Sequence, residues 1–277
     1  MMAGKTLVER WYDAHAKVEE HRLDEGRLEF EVTMWIINSC LSKLRLRGAN
    51  ILDVGGGPGR YAIAQANQGH QVTLIDLSEK SLDVARMNAE KEAVQLKAII
   101  HANALDISQH SLLEASHGSF DIVLCLGPLY HLVAPEERAS VIRNCILMAK
   151  PGGYILLAYV TIYAHLRDLA RREPSRFASE WNFYRQYLDS GEYTRNPDTT
   201  SFHVHPADLL EEFLEFRDQV NVEKVLSCEG FLGSSGAKGL ATLNEAEMKR
   251  WIDVVMLSAD RVETLNCADH LLVILRK

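Results

Sequence analysis

Residues 53–59 read Asp-Val-Gly-Gly-Gly-Pro-Gly, with Gly55, Gly57 and Gly59 at alternate positions. Glycine reaches positive φ without a steric penalty and lets a ligand approach the backbone closely. A helix starting just after Gly59 would aim its unpaired amides and the positive end of its dipole at the same space. That space suits a carboxylate or a ribose edge. Asp76, 17 residues after Gly59, ends the next apolar run, where a carboxylate can hold ribose hydroxyls. The nicotinamide and flavin fingerprint GxGxxG is the rival, and it needs its third glycine three residues after the second. Arg60 holds that position and the glycines run GxGxG, so the spacing speaks against a dinucleotide.

Two other groups of residues could carry chemistry. Tyr130 and His131 follow a strand-like run, 120–126, and His131 has the chemistry of a general base. A structural, hydrogen-bonded histidine and a packed tyrosine are the plainer readings of the same pair. His203 and His205 flank Val204, and two histidines alone are a weak metal signal, so no metal is expected. Arg167, Arg171, Arg172 and Arg176 read as a solvated helix face offset by Asp168 and Glu173, or as a patch that steers an anionic substrate.

The elements that must position these residues follow from periodicity. Residues 1–47 carry apolar positions at helical spacing (Leu7, Trp11, Ala14, Val18, then Leu28, Val32, Trp35, Ile36). Short apolar strands then alternate with helices. Strands are expected at 51–54, 71–75, 96–101, 120–126 and 154–160. Helices are expected at 61–67, from the N-cap Ser78 to about Ala93, and from Pro135 to Met148. This alternation implies a parallel sheet covered on both faces. Ligands of such sheets bind at the carboxyl ends of the strands. Residues 161–205 show no clean strand. Pro206 starts a helix to about Phe216, 219–226 form a strand, 244–265 are helical and 271–275 form a last strand.

With these segments in order, the chain resembles the class I S-adenosylmethionine (SAM) methyltransferases. The likeness rests on Asp53 to Tyr61, Leu74-Ile75-Asp76-Leu77-Ser78, Asn103-Ala104-Leu105-Asp106, Phe120 to Leu124 and Leu147 to Gly153. Leu126-Gly127-Pro128-Leu129-Tyr130-His131-Leu132 narrows it to a small-molecule, ubiquinone-biosynthesis-like branch. The resemblance implies a Rossmann-like α/β fold: a seven-stranded, mostly parallel sheet with helices on both faces, an antiparallel last strand and a helical lid. It implies one domain over 1–277. Residues 1–47 form an N-terminal cap, 48–160 the SAM-binding core, 161–205 and 229–266 lid insertions over one end of the sheet, and 219–227 and 270–277 the final strands. It also implies methylation of O, N or C of a small-molecule acceptor, with SAM as cofactor and S-adenosylhomocysteine as product.

Residue by residue, Gly55, Gly57 and Gly59 match the glycines around the methionine part of SAM, and Asp53 the acidic residue that anchors their loop. Asp76 matches the ribose carboxylate, and Leu77 the apolar contact to adenine. Asn103 stands where the family usually has Asp near the adenine amine, and it also reads as a plain turn residue; Ala104 would offer its backbone. Leu126 matches contacts near the methionine chain. Tyr12 and Arg22 match, more loosely, residues that close over the cofactor. Tyr130 and His131 are the candidate catalytic pair, though proximity and orientation carry most of the work in this branch. The lid aromatics (Tyr163, Trp181, Phe183, Tyr184, Tyr187, Tyr193) fit a partly apolar acceptor or a small core of the lid's own.

Composition narrows the alternatives. Over 277 residues, 30 Lys and Arg against 38 Asp and Glu leave a net charge of −8, which argues against a broad basic face for nucleic acid. That lowers, without removing, an RNA or protein methyltransferase as the alternative; a non-catalytic SAM-binding protein is the other. The five cysteines are scattered, odd in number and never in CxxC spacing, which fits a reducing, cytoplasmic setting with buried, inert thiols. No apolar run reaches the roughly 18 residues of a membrane span, and the N-terminus lacks a signal-peptide apolar region.

Overall fold

The computed structural model describes residues 7–15, 26–195 and 200–277. Helix α1 runs through residues 7–15. It is followed by α2 (Arg27–Leu44), β1 (Asn50–Val54), α3 (Arg60–Asn67), β2 (Gln71–Asp76), α4 (Glu79–Lys91) and β3 (Ala98–His101). Then come β4 (Phe120–Cys125), α5 (Pro135–Met148), β5 (Ala149–Val160), α6 (Ile162–Arg172), α7 (Pro174–Ser179) and α8 (Trp181–Ser190). The chain closes with β6 (Glu192–Tyr193), β7 (Ser201–Phe202), β8 (Asn221–Ser227), α9 (Gly233–Ala237), α10 (Glu245–Met256), α11 (Val262–Cys267) and β9 (His270–Arg276).

Seven strands form one sheet in the order β3-β2-β1-β4-β5-β9-β8. The first five are parallel, and β9 runs antiparallel to both β5 and β8, as the resemblance implies. Successive residues of the central strands serve opposite faces, and both faces are covered. Ile51, Val72, Leu74, Ile122, Leu124 and Leu156 pack under α2, α3, α4 and α10. Leu52, Val54, Ile75, Val123, Ile155 and Leu157 pack under α5 and a 3-10 segment, Leu209–Phe216. Burial on both sides explains why these strands read as unbroken apolar runs rather than as alternating ones.

The helices start where their caps say. Ser78 Oγ accepts the amide of Ser81 at the head of α4, Thr161 Oγ1 accepts that of Ala164 at α6, and Asn244 forms a capping box with Glu247 at α10. Pro135 opens α5.

Several expectations need correction. Within 229–266, expected as a lid insertion over the end of the sheet, α10 packs on a sheet face instead. Met248, Ile252 and Val255 of α10 join Leu28, Val32 and Ile36 of α2 in the core on one sheet face. The helix expected over 244–265 is two helices, because the chain turns after Met256 and restarts at Val262. The segment after Pro206 is a 3-10 helix from Leu209 rather than an α-helix. β5 begins five residues early, at Ala149, through an irregular register opposite Phe120 and a positive φ at Gly152. Within 161–205 a two-residue pairing, β6 with β7, escaped the periodicity. Such short strands carry no period to detect.

Candidate active site

Three strand ends and one helix build the site. After β1 the chain turns back at Gly55 (φ +67°) and Gly57 (φ +54°) and enters α3 through Gly59 (φ +81°). The amides of Gly55 and Gly56 donate to the carbonyl of Ile75 at 2.8 and 3.2 Å, which pins the loop to the end of β2. Each glycine has its own reason. A Cβ on Gly55 would strike the Pro128 ring at 2.4 Å. One on Gly57 would meet no atom within 4 Å, so its positive φ opens the loop toward free space. Gly56, which the alternating pattern passed over, is as constrained: its Cβ would meet Asp53 Oδ2 and Leu74 Cδ1, each at 2.4 Å.

Asp53 lies beneath this loop, 1% exposed. Its carboxylate oxygens make no well-formed hydrogen bond among the described residues. Burial pushes the carboxyl up to about 7, the nearby Asp76 charge adds to the rise, and only the Ala62 amide at the head of α3 opposes it.

Asp76 does two jobs. Its Oδ2 accepts the Gly57 amide and its Oδ1 the Ser78 amide, both at 2.8 Å. Burial raises its pKa, and these amides and His101 counter the rise. The carboxylate therefore shapes the glycine loop and the head of α4. Leu77 beside it is half-buried, and its carbonyl accepts from His101 Nε2 at 2.7 Å.

Asn103 follows β3 as a turn residue: its Oδ1 accepts the amide of Leu105 at 3.0 Å. Asn144 Nδ2 donates to the carbonyls of Ala104 and Leu105 and holds this loop against α5. The plainer reading of Asn103 thus describes its side chain.

After β4, half-buried Leu126 leads into a tight 3-10 turn, Pro128–His131. A Cβ on Gly127 would come within 3.1 Å of the Gly55 carbonyl, so the two loops pack backbone to backbone. Tyr12 Oη on α1 lies 2.6 Å from His131 Nε2, and the Tyr130 ring leans on the His131 ring at 4.7 Å. One residue on, Asp13 accepts from Ser78 Oγ at 2.7 Å and from the Lys80 amide at 3.3 Å. α1 therefore bridges the ends of β4 and β2 and crosses β1, which lies between them. The structure brings Tyr12 against His131, the other residue the resemblance points to here. Asp13 was missed, since nothing in its sequence context sets it apart from any surface acid. Arg22 lies outside the described residues.

The segment α6–α8 carries its own core of Ile162, Leu169, Tyr184 and Tyr187, with Phe183 and Tyr193 packed on it, while Tyr163 and Trp181 stay exposed. His203 is built into its edge: Tyr187 Oη lies 2.7 Å from Nδ1 and Ser201 Oγ 3.2 Å from Nε2. Burial lowers its pKa to about 3, and His165, His131 and His270 all lie near enough to lower it further. His205 Nε2 donates to the Leu188 carbonyl, and its side chain lines a cavity beside that of His203. Of the four arginines, Arg171, Arg172 and Arg176 do pair with Asp168 and Glu173 at the surface, but Arg167 ties α6 to Asp269 and the Ala268 carbonyl. That cavity, of about 390 Å³, lies behind this segment, lined among others by Phe202, His203, Asp208 and Glu212, and no glycine-loop residue borders it.

Residues 51–153 match the family model of a methyltransferase domain. A ubiquinone biosynthesis O-methyltransferase of Albidiferax ferrireducens is 36% identical over 154 residues, 55% of this chain and 54% of the relative. The chain thus aligns with about half the length of the curated relatives it matches. Among solved structures, a SAM-dependent methyltransferase of Methanosarcina mazei superposes with a TM-score of 0.56 at 19% identity, over 87% of this chain and 96% of that one. Magnesium protoporphyrin IX methyltransferase of Synechocystis PCC 6803 with bound SAM gives 0.58 at 12% identity over the whole of both chains. The molecule has the Rossmann-like fold of these class I SAM methyltransferase structures, and its residues 51–153 match the methyltransferase domain model.

Proposed function

We propose that the protein transfers a methyl group from SAM to O, N or C of a small-molecule acceptor, chiefly by positioning the two. The observation that carries this reading is the glycine loop clamped by Asp76, opening at Gly57 under the bridge of α1. The residues fit the cofactor. The loop backbone from Gly55 to Gly59 would hold its methionine part, Asp76 the ribose hydroxyls, and Leu77 and the 103–104 turn the adenine. Bound SAM supplies an electrophilic methyl group. The chain supplies alignment and exclusion of water, effects worth roughly 7–11 kcal/mol in favourable cases.

Tyr12, Tyr130 and His131 form the wall nearest the strand end that faces the acceptor. His131 takes the acceptor's proton where one must leave, and Tyr12 orients the ring through its contact with Nε2. The segment α6–α8, with His203 at its edge, covers the acceptor side as a lid, while residues 229–266 buttress the sheet. Among the described residues no helix is long and apolar enough to cross a membrane, which fits a cytoplasmic enzyme.

Calorimetric titration with SAM, S-adenosylhomocysteine and NADH tests the proposal. Micromolar binding of the first two and none of NADH is expected, followed by label transfer from SAM to a small molecule in cell extract. Absence of SAM binding sinks the reading. Label found only on RNA or protein would redirect it to a macromolecular acceptor.

A further inference from the structure

We propose that Glu29, Glu229 and His270 form a binding site for one divalent transition-metal ion. The three side chains come from elements far apart in sequence: the first turn of α2, the loop after β8 and the first residue of β9. One ligand atom of each lies within 4.8 Å of the other two. Transition-metal bonds to imidazole nitrogen and carboxylate oxygen are about 2.0–2.2 Å, so ligand atoms on one ion sit roughly 3–4 Å apart. Small side-chain shifts close the set.

His270 Nδ1 is the atom both carboxylates face. It donates a short hydrogen bond to Glu229 Oε1 and lies 3.7 Å from Glu29 Oε2. Glu229 Oε2 also accepts the His270 amide at 3.1 Å, which fixes that carboxylate against the strand. The side chain of Glu229 is 1% exposed, that of Glu29 14% and that of His270 19%. A divalent ion set among the three groups would take one ligand atom from each and leave positions for water.

The donor set selects the ion. One imidazole with two carboxylates suits Zn²⁺, Mn²⁺ or Fe²⁺, whereas Ca²⁺ and Mg²⁺ prefer oxygen throughout and Cu⁺ prefers sulfur. The site is also well placed. His270 pairs with Val160, the last residue of β5, at the same sheet edge as the glycine loop.

The test uses the full chain, stripped with chelator and titrated calorimetrically with ZnCl₂ and with MnCl₂. Metal content is counted after gel filtration, and melting is followed with and without metal. One ion per chain and a metal-dependent rise in Tm are expected. Glu229→Gln and His270→Ala should each weaken binding by about tenfold or more and abolish the Tm rise. If the buried Glu229 variant does not fold, Glu29→Gln, at the more open side, carries the same expectation. No binding to the wild-type chain, or binding unchanged in the folded variants, overturns the proposal. S-adenosylhomocysteine binding in the same samples reports separately on the cofactor site, so failure of the methyltransferase reading would leave the metal result intact.

Discussion

At the scale of single residues, the site depends on carboxylates that hold backbone. Asp76 accepts two amides that bend the chain, Gly57 and Ser78, so its removal acts on the loop as well as on the ribose. Asp76→Ala is expected to weaken S-adenosylhomocysteine binding by about tenfold to a hundredfold, since a charge-assisted hydrogen bond contributes about 1.5–3 kcal/mol. Calorimetry on the folded variant checks this, and unchanged affinity would remove Asp76 from the cofactor site. His131 stands one loop away, held by Tyr12. His131→Ala should lower kcat by more than it lowers cofactor affinity, as expected for a group that acts on the acceptor. A loss of affinity without a loss of kcat would make His131 part of the cofactor wall instead. Asp76 ends β2 and His131 lies in the turn after β4, and the strong apolar signatures of those two strands let the sequence place both. Gly56 and Asp13 were not, because their constraints come from Leu74, Asp53 and Ser78, which only folding brings near.

At the scale of elements, α1 is the part with least core behind it. Its polar links to the rest of the site include Tyr12 to His131 and Asp13 to Ser78 and Lys80. Asp13→Ala removes two of these links. Faster amide hydrogen exchange across residues 7–15 is expected, with a loss of SAM affinity of about threefold to tenfold and little change in the sheet. Protection unchanged over 7–15 would show that α1 is held by other contacts. The sheet strands other than β5, and the helices α3, α4 and α5, could be read within a residue or two, since caps and glycines mark their ends. The 229–266 segment could not. α10 has an amphipathic pattern that fits a lid as well as a buttress, and the choice fell to α2, whose Leu28, Val32 and Ile36 needed a partner.

At the scale of the whole molecule, one buried acid links the site to global stability. Asp53 has a folded pKa of about 7 against an ordinary 3.8. Between those values the unfolded chain has released its proton and the folded chain still holds it. Stability from this group is therefore complete below pH 4, falls as pH rises from 4 to 7, and changes little above that. The limiting cost is roughly 4 kcal/mol at 1.36 kcal/mol per unit. Asp53→Asn, which cannot ionise, should gain in Tm over the wild type as pH rises from 4 to 7 and gain nothing further above. A difference in Tm that does not vary with pH would mean that Asp53 ionises normally in the folded protein.

The division between what sequence and tertiary structure decided follows from the range of the interactions involved. Gly55, Gly57, Gly59, Asp76 and the alternating strands were readable because local conformation and period create them: positive φ needs glycine, and a doubly covered strand needs an apolar run. Those signals sufficed for the sheet, its antiparallel last strand and the place of the loop. The Asx turn at Asn103, the buried edge position of His203 and the meeting of Glu29, Glu229 and His270 were decided by tertiary structure alone. Residues 29, 229 and 270 share no spacing that a helix or strand could impose. They come together because β9 inserts between β5 and β8 and because α2 packs across that side of the sheet.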